Sequence, residues 1–180
     1  MKKKTNFRWL IKIVLIGMAV SMAFTFASSE ILGRAGYIVA FAALAVFIAI
    51  GITFDIIGVA VTAAQEAPFH SMAAHRERGA SESLRLIKNA DKAASICNDV
   101  VGDVSGIVSG ATAALIAARL MENLSTENFL IQLLISGTVT GLMIGGKAAG
   151  KTLAFNNSTI IVLSVGKLLN IMRIKSNSSK

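Results

Sequence analysis

The chain has 180 residues, of which 54% are apolar, with one proline, one cysteine and a mean hydropathy of +0.66. That composition is too apolar for an ordinary soluble domain, and a lone cysteine excludes an intrachain disulfide. The net charge of +8 would suggest nucleic-acid binding in a soluble protein, but here the basic residues lie at the ends of long apolar runs. We therefore expect a protein that resides in the lipid bilayer and binds no nucleic acid.

Four apolar runs are each close to the ~20 residues that a helix needs to cross a bilayer. Each run is much longer than a barrel strand, and none alternates with a period of two residues, so all four are predicted as membrane helices. The sequence therefore predicts an all-α membrane protein. The approximate bounds of the four helices are Trp9–Phe26, Tyr37–Ala63, Ser95–Ala118 and Phe129–Gly146.

The first predicted helix lies within an N-terminal region, residues 1–35, that also resembles a secretory signal segment. Its basic start, "MKKKTNFRW", precedes an apolar run that Lys12 interrupts. We expect this segment to be kept as a membrane helix, and cleavage near Ser28 is the alternative. Either outcome leaves the orientation of the other three crossings unchanged.

The rest of the chain, residues 36–174, is predicted as one membrane domain with two polar additions. In the connection 65–94, Pro68 is expected to end or redirect the second helix, and "ASESLRLIKNADK" predicts a short helix on the membrane surface. Residues 158–174 predict a juxtamembrane helix with a narrow polar stripe. The final residues, 175–180, are expected to be disordered.

The distribution of basic residues predicts the orientation of the four crossings. Only Arg34 and Arg119, of the 18 Lys and Arg residues, fall in the two connections on the opposite side from the termini. Cytoplasmic loops carry the excess of Lys and Arg in membrane proteins. We therefore predict a multi-pass protein of the cell membrane with both termini in the cytoplasm.

Two predicted helices carry glycines at every fourth position. Such ridges let helix backbones approach closely in lipid, where association depends on packing contacts. Packing within the chain and packing across a homodimer both fit this pattern, and we expect a homodimer from the presence of two ridges. The ridges comprise Gly102, Gly106 and Gly110 in the third helix and Gly137, Gly141 and Gly145 in the fourth.

Ionisable residues inside membrane crossings are costly, and each one is a candidate functional residue. Asp55 lies two thirds of the way along the second helix, and continuing its helical phase places Thr62 and Glu66 on the same face. This face would carry a carboxylate, a hydroxyl and a second carboxylate towards the cytoplasm.

A second polar group opens the third helix. Asn98 and Asp99 precede Asp103, and the two aspartates are spaced i, i+4 on one helical face. Carboxylate and amide oxygens suit hard cations such as Mg²⁺, so we predict Asp55, Asn98, Asp99 and Asp103 as metal ligands and Glu66 as a further cation-binding residue. Alternatively, Asp99 and Asp103 simply lie near the interface, where the helix dipole favours negative charge.

Three ordered segments resemble the membrane domain of the CNNM and CorB/CorC magnesium transport families. They are "QEAPFHSM" with the helix that follows it, "ICNDVVGD", and "GGKAAGKTLAFNN". The resemblance covers roughly Val39 to Arg173 and implies an inside-facing acidic cavity formed by three crossings, a belt-like juxtamembrane helix and a dimer. It places Glu66 on the family's conserved Glu, and Asn98 and Asp99 on its two Asn positions.

The chain also departs from that family pattern. Ala63 and Gln65 replace expected serines, Lys147 replaces a glutamate, and the sequence stops where family members continue into CBS domains. We predict that the protein binds or transports a divalent cation, with Thr62 and Lys147 as modulating residues. A degenerate homologue acting as a scaffold or accessory subunit, and a binder of anions or lipid headgroups, are the alternatives.

The segment "GGKAAGKT", Gly145 to Thr152, matches the phosphate-binding pattern G-x-x-x-x-G-K-[ST]. That motif requires a preceding β-strand in an α/β sheet, whereas here a membrane helix precedes it. We therefore predict no nucleotide at this segment. No arrangement of residues suggests nucleophilic catalysis, so neither an enzyme nor a resident cofactor is expected.

Overall fold

The computed structural model describes residues 7–34, 36–125 and 128–177, and every regular element in those ranges is helical. The prediction of an all-α protein is confirmed for this part of the chain. The elements are α1 (Phe7–Arg34), α2 (Tyr37–Ala63), α3 (Glu66–Ala74), α4 (Ala80–Lys88), α5 (Ala90–Ala94), a π-helical segment (Ser95–Gly102), α6 (Asp103–Asn123), α7 (Phe129–Asn156) and α8 (Ser158–Asn177).

Four helical stretches are long and apolar enough to cross a membrane, and they correspond to the four predicted ones. The second has the predicted bounds, Tyr37–Ala63. The third is continuous over Ala90–Asn123 because α5, the π-helical segment and α6 follow one another without a break. A π-helix rarely extends beyond a single turn and frequently marks a functional site.

The chain forms two compact units. The first comprises the described parts of Met1–Ile52 together with Asp99–Gly146. Within it, α1 packs on α6, and the Phe24 and Phe47 rings lie 5.7 Å apart between their centroids. The hydroxyls of Ser28 and Thr112 share a buried hydrogen bond of 2.8 Å. The end of α1 near Ser28, where cleavage was the alternative, therefore contributes to the packing of this unit.

Glycine contacts in the first unit differ from those that the sequence suggested. A Cβ at Gly51 would lie 2.6 Å from Met143 Cε and 3.0 Å from Ser105 Cβ, so α2 approaches α6 and α7 closely there. In contrast, no atom lies within 4 Å of a Cβ built at any of the three ridge glycines of α7. Packing within the chain therefore does not explain the α7 ridge of Gly137, Gly141 and Gly145.

The second unit comprises Thr53–Asn98 and Lys147–Lys180, of which residues 178–180 are not described. Its apolar core is centred on Phe69, which is fully buried with Val61 and Val162. α4 and α8 cross closely, since a Cβ at Gly166 would overlap the carbonyl oxygen of Gly79 and the hydroxyl of Ser83. Gly79 has a φ of +85°, which a glycine adopts without strain.

Several predicted boundaries in this unit are wrong. α2 ends at Ala63 and Gln65 is extended (φ −89°, ψ 143°), so Pro68 does not end α2. It lies in the first turn of α3, where the missing N–H of proline costs nothing. The helix predicted over "ASESLRLIKNADK" is present as α4 and the start of α5, with a break at Asn89, and α3 is an additional helix before it.

The C-terminal boundaries also differ. α7 extends ten residues past the predicted end at Gly146, to Asn156. The juxtamembrane helix is present as α8, but it continues through residues 175–177, which were expected to be disordered. The remainder of the predicted tail, residues 178–180, lies outside the described residues.

Candidate functional site

Four buried side-chain polar atoms in the described ranges have no hydrogen-bond partner. A buried polar atom without a partner costs about 1–3 kcal/mol, so such atoms are uncommon and each one calls for an explanation. Two lie in the first unit and two in the second. They are Asp55 Oδ2, Asn98 Oδ1, Ser105 Oγ and Ser109 Oγ.

Asp55 is the only acidic residue among the buried side chains of the described residues, with 6% of its surface exposed. It lies two turns before the end of α2, inside the most apolar of the candidate spans. An ionised carboxylate in such surroundings is strongly disfavoured unless a cation or hydrogen-bond donors compensate it. Asp55 Oδ2 therefore suits a positively charged partner.

Asn98 lies in the π-helical segment, and its carboxamide packs directly against Gly58 of α2. A Cβ at position 58 would overlap Asn98 Oδ1, so this approach requires a glycine. Gly58 is three residues after Asp55, which makes the two neighbours on the surface of α2. The two unpartnered oxygens, Asp55 Oδ2 and Asn98 Oδ1, thus lie along the same part of α2 and are called here the buried oxygens.

Thr62 and Glu66 are placed differently from Asp55. Thr62 is exposed and its hydroxyl donates to the Val59 carbonyl at 2.8 Å within α2. Glu66 opens α3, and its exposed carboxylate lies 3.4 Å from His70 Nε2. The prediction that Glu66 continues the face of α2 is therefore wrong, because α2 ends before it.

Asp99 and Asp103 are both exposed. They belong to the first unit, whereas Asp55 and Asn98 belong to the second. In the ranges that the structure describes, no three His, Cys, Asp or Glu side chains come together as a group that could hold a metal ion. The metal ligands predicted from the sequence thus stay a prediction, and Asp55 with Asn98 is the part of that set with a structural feature to support it.

Ser105 and Ser109 are the corresponding polar residues of the first unit. They are one turn apart in α6, at most 1% exposed, and neither hydroxyl has a partner. A hydroxyl carries no charge, so its burial costs less than that of a carboxylate. These serines lie on the buried face of α6 and do not form a charged site.

Lys147 is half-buried within α7 and makes a polar interaction. The segment Gly145 to Thr152 around it is helical throughout and lies inside α7. A phosphate-binding loop needs backbone N–H groups that are not engaged in a helix interior, so this segment has the wrong geometry for that motif.

Sequence reasoning missed the π-helical segment and the contact of Asn98 with Gly58. A glycine inside an apolar run does indicate a close approach, so Gly58 was the available signal. The π-helical segment has no comparable signature, since its residues are equally compatible with an α-helix.

Comparison of the chain with models of protein families, with curated proteins and with solved structures found no significant match. The similarity to the CNNM and CorB/CorC membrane domain therefore remains a resemblance in short segments. The fold of the described residues defines the class of the protein. It is all-α, and four of its helices are long and apolar enough to span a membrane.

Proposed function

We propose that this protein binds a divalent cation within the membrane, with Asp55 and Asn98 as oxygen ligands. The observation that carries this proposal is the buried carboxylate of Asp55, whose Oδ2 has no partner inside an apolar span. The amide oxygen of Asn98, which packs on Gly58 three residues further along α2, is also buried and unpartnered and would add a second hard ligand. Carboxylate and carbonyl oxygens are the ligands that Mg²⁺ and Ca²⁺ take in proteins.

Mg²⁺ suits this site best. It dehydrates reluctantly and is commonly held through one or two carboxylates while it keeps several waters. A site with one carboxylate and one amide can therefore bind Mg²⁺ without the large cage of ligands that Ca²⁺ requires. The resemblance to magnesium transport proteins supports the same ion, and the proposal extends to its transport.

The alternative is a membrane scaffold or accessory subunit that has lost transport. Two observations favour it: three acidic or histidine ligands do not come together in the described residues, and the basic Lys147 stands where the similar family has an acid. In that case Asp55 would be a tolerated structural residue.

The test separates binding from transport. Mg²⁺ binding is measured by calorimetry on the full-length protein in detergent, and Mg²⁺ uptake is measured in proteoliposomes with an enclosed indicator. Asp55→Asn is expected to weaken binding about tenfold or more, because contacts to a charged group are worth ~1.5–3 kcal/mol. Glu122→Gln, which removes an exposed carboxylate at the end of α6, is the matched control.

Three outcomes are informative. Loss of binding and uptake in Asp55→Asn alone supports the cation site. Binding without uptake in the unmodified protein favours the accessory role. Wild-type affinity in both Asp55→Asn and Asp103→Asn would overturn the proposal.

A further inference from the structure

A cleft of about 500 Å³ lies on the second unit, and neither Asp55 nor Asn98 lines it. α4, α5, the start of the π-helical segment and α8 line it. Its walls carry three basic residues, Arg85, Lys92 and Arg173, and one acidic residue, Glu82. We refer to it as the basic cleft.

The residues that line the basic cleft carry a net charge of +2, from three bases and one acid. Glu82 is already engaged, since its Oε1 lies 3.5 Å from Arg173 Nη1 and only 12% of its side chain is exposed. A guanidinium has five N–H donors, and the Glu82 contact occupies one of its nitrogens. Arg173, which is 66% exposed, can therefore donate to an anion while it remains paired with Glu82.

The cleft also has an apolar floor. Leu86, Ile96 and Leu169 line it alongside the basic residues. A small inorganic anion gains nothing from such surface, because it has no apolar part to bury. A molecule with an anionic head and a hydrocarbon chain matches both the charged rim and the floor.

The position of the cleft along the chain agrees with such a ligand. Lys92 and Ile96 belong to the first turns of the candidate membrane span Ala90–Asn123. The first turns of a span lie at the level of the lipid headgroups, where Lys and Arg interact with anionic lipids. Lys92 would therefore lie at headgroup level, with Ile96 one turn further into the span.

We propose that the basic cleft binds one anionic phospholipid, whose phosphate lies among Arg85, Lys92 and Arg173 and whose acyl chain covers Leu86, Ile96 and Leu169. This differs from general attraction of a basic surface to the membrane. Exposed bases outside the cleft, such as Lys88 on the same helix, contribute nothing to this site.

The test uses native mass spectrometry of the full-length protein in detergent, titrated with phosphatidylglycerol or with phosphatidylcholine. Arg85→Gln is expected to weaken phosphatidylglycerol binding about tenfold, because glutamine cannot replace the charge-assisted hydrogen bonds of a guanidinium to the phosphate. Lys88→Gln is the matched control, since it removes the same charge three residues away, and it should stay within twofold of wild type. Phosphatidylcholine binding should be equal in all three proteins.

A second variant and a soluble probe separate the lipid from a free phosphate. Leu169→Ser should also weaken phosphatidylglycerol binding, because it removes apolar surface that the acyl chain would cover. Glycerol 3-phosphate, which carries the head without the chain, should compete poorly. An equal loss in Lys88→Gln, an unchanged affinity in Arg85→Gln, or glycerol 3-phosphate binding as tight as that of the lipid would each overturn the proposal.

Discussion

The second unit buries polar side chains in two different ways. At the α4–α8 crossing, the Ser83 hydroxyl is fully buried and lies within hydrogen-bond distance of the Gly79 carbonyl (2.9 Å) and the Val162 carbonyl (3.1 Å). The buried oxygens of Asp55 and Asn98 have no such partners. Burial alone therefore does not indicate function. A buried carboxylate without a partner is a stronger indication, because it costs stability that something else must offset.

The largest effect is expected at the crossing, from Gly166→Ala. The new methyl group would overlap the Gly79 carbonyl oxygen, which is backbone and cannot move aside easily. We expect a loss of about 3 kcal/mol in the free energy of unfolding, the upper part of the range for overpacking. Thermal unfolding of the purified protein in detergent measures this.

Gly141→Ala is the matched control for that variant, because a Cβ there meets no atom within 4 Å. Its monomer should be as stable as the wild type or slightly more so, since alanine favours a helix over glycine. A loss of stability as large as that of Gly166→Ala would show that the close crossing is not what makes Gly166 sensitive.

The next largest effect is expected from Gly58→Ala beside the buried oxygens. The methyl group would displace the Asn98 carboxamide, at a cost of about 2 kcal/mol. The double variant Gly58→Ala with Asn98→Ala should recover most of this loss, because the shorter side chain leaves room for the methyl group. Additive losses in a double-mutant cycle would contradict direct contact between these residues.

A smaller effect of opposite sign is expected from Asp55→Asn. Without bound cation, the isosteric amide removes a buried charge, so thermal stability should stay level or rise by about 1 kcal/mol. Excess Mg²⁺ should stabilise the wild type more than this variant, since a ligand stabilises only the protein that binds it. Equal stabilisation of both proteins by Mg²⁺ would argue against Asp55 as a ligand.

The smallest changes in stability are expected when two buried serines, Ser83 and Ser105, are each replaced by alanine. Ser83→Ala should cost about 1 kcal/mol, the value of a satisfied hydrogen bond. Ser105→Ala should cost nothing or add slight stability, because its hydroxyl has no partner to lose. The two melting temperatures, measured in one detergent, check this order, and a larger loss for Ser105→Ala would reverse the comparison.

Much of the fold could be predicted from hydrophobic length alone. α2 has the bounds that its apolar run indicated, and the run of α8 from Ser158 indicated a helix that is present. The start of α3 directly after the extended Gln65 was not predicted, because Pro68 is compatible both with the end of one helix and with the first turn of the next. Local propensity is a weak guide wherever tertiary contacts decide.

The candidate site was predicted in part. Asp55 and Asn98 were singled out because polar groups in apolar helices are rare; Asp55 is buried, and Asn98 is half-buried with a buried Oδ1. Glu66 was included by extending a helical phase across a boundary that the structure places at Ala63. Helical phase is informative only within one continuous helix, and Glu66 lies three residues beyond the end of α2 that the apolar run indicated.

The hydrogen bond between Ser28 and Thr112 links residues 84 positions apart. At ~5–20 residues per second, the ribosome needs roughly 4–17 s after Ser28 to synthesise Thr112. During that interval this hydrogen bond cannot form, because the partner of Ser28 on α6 has not yet been made. The order of synthesis thus makes the packing of the N-terminal helix dependent on a segment that is synthesised later.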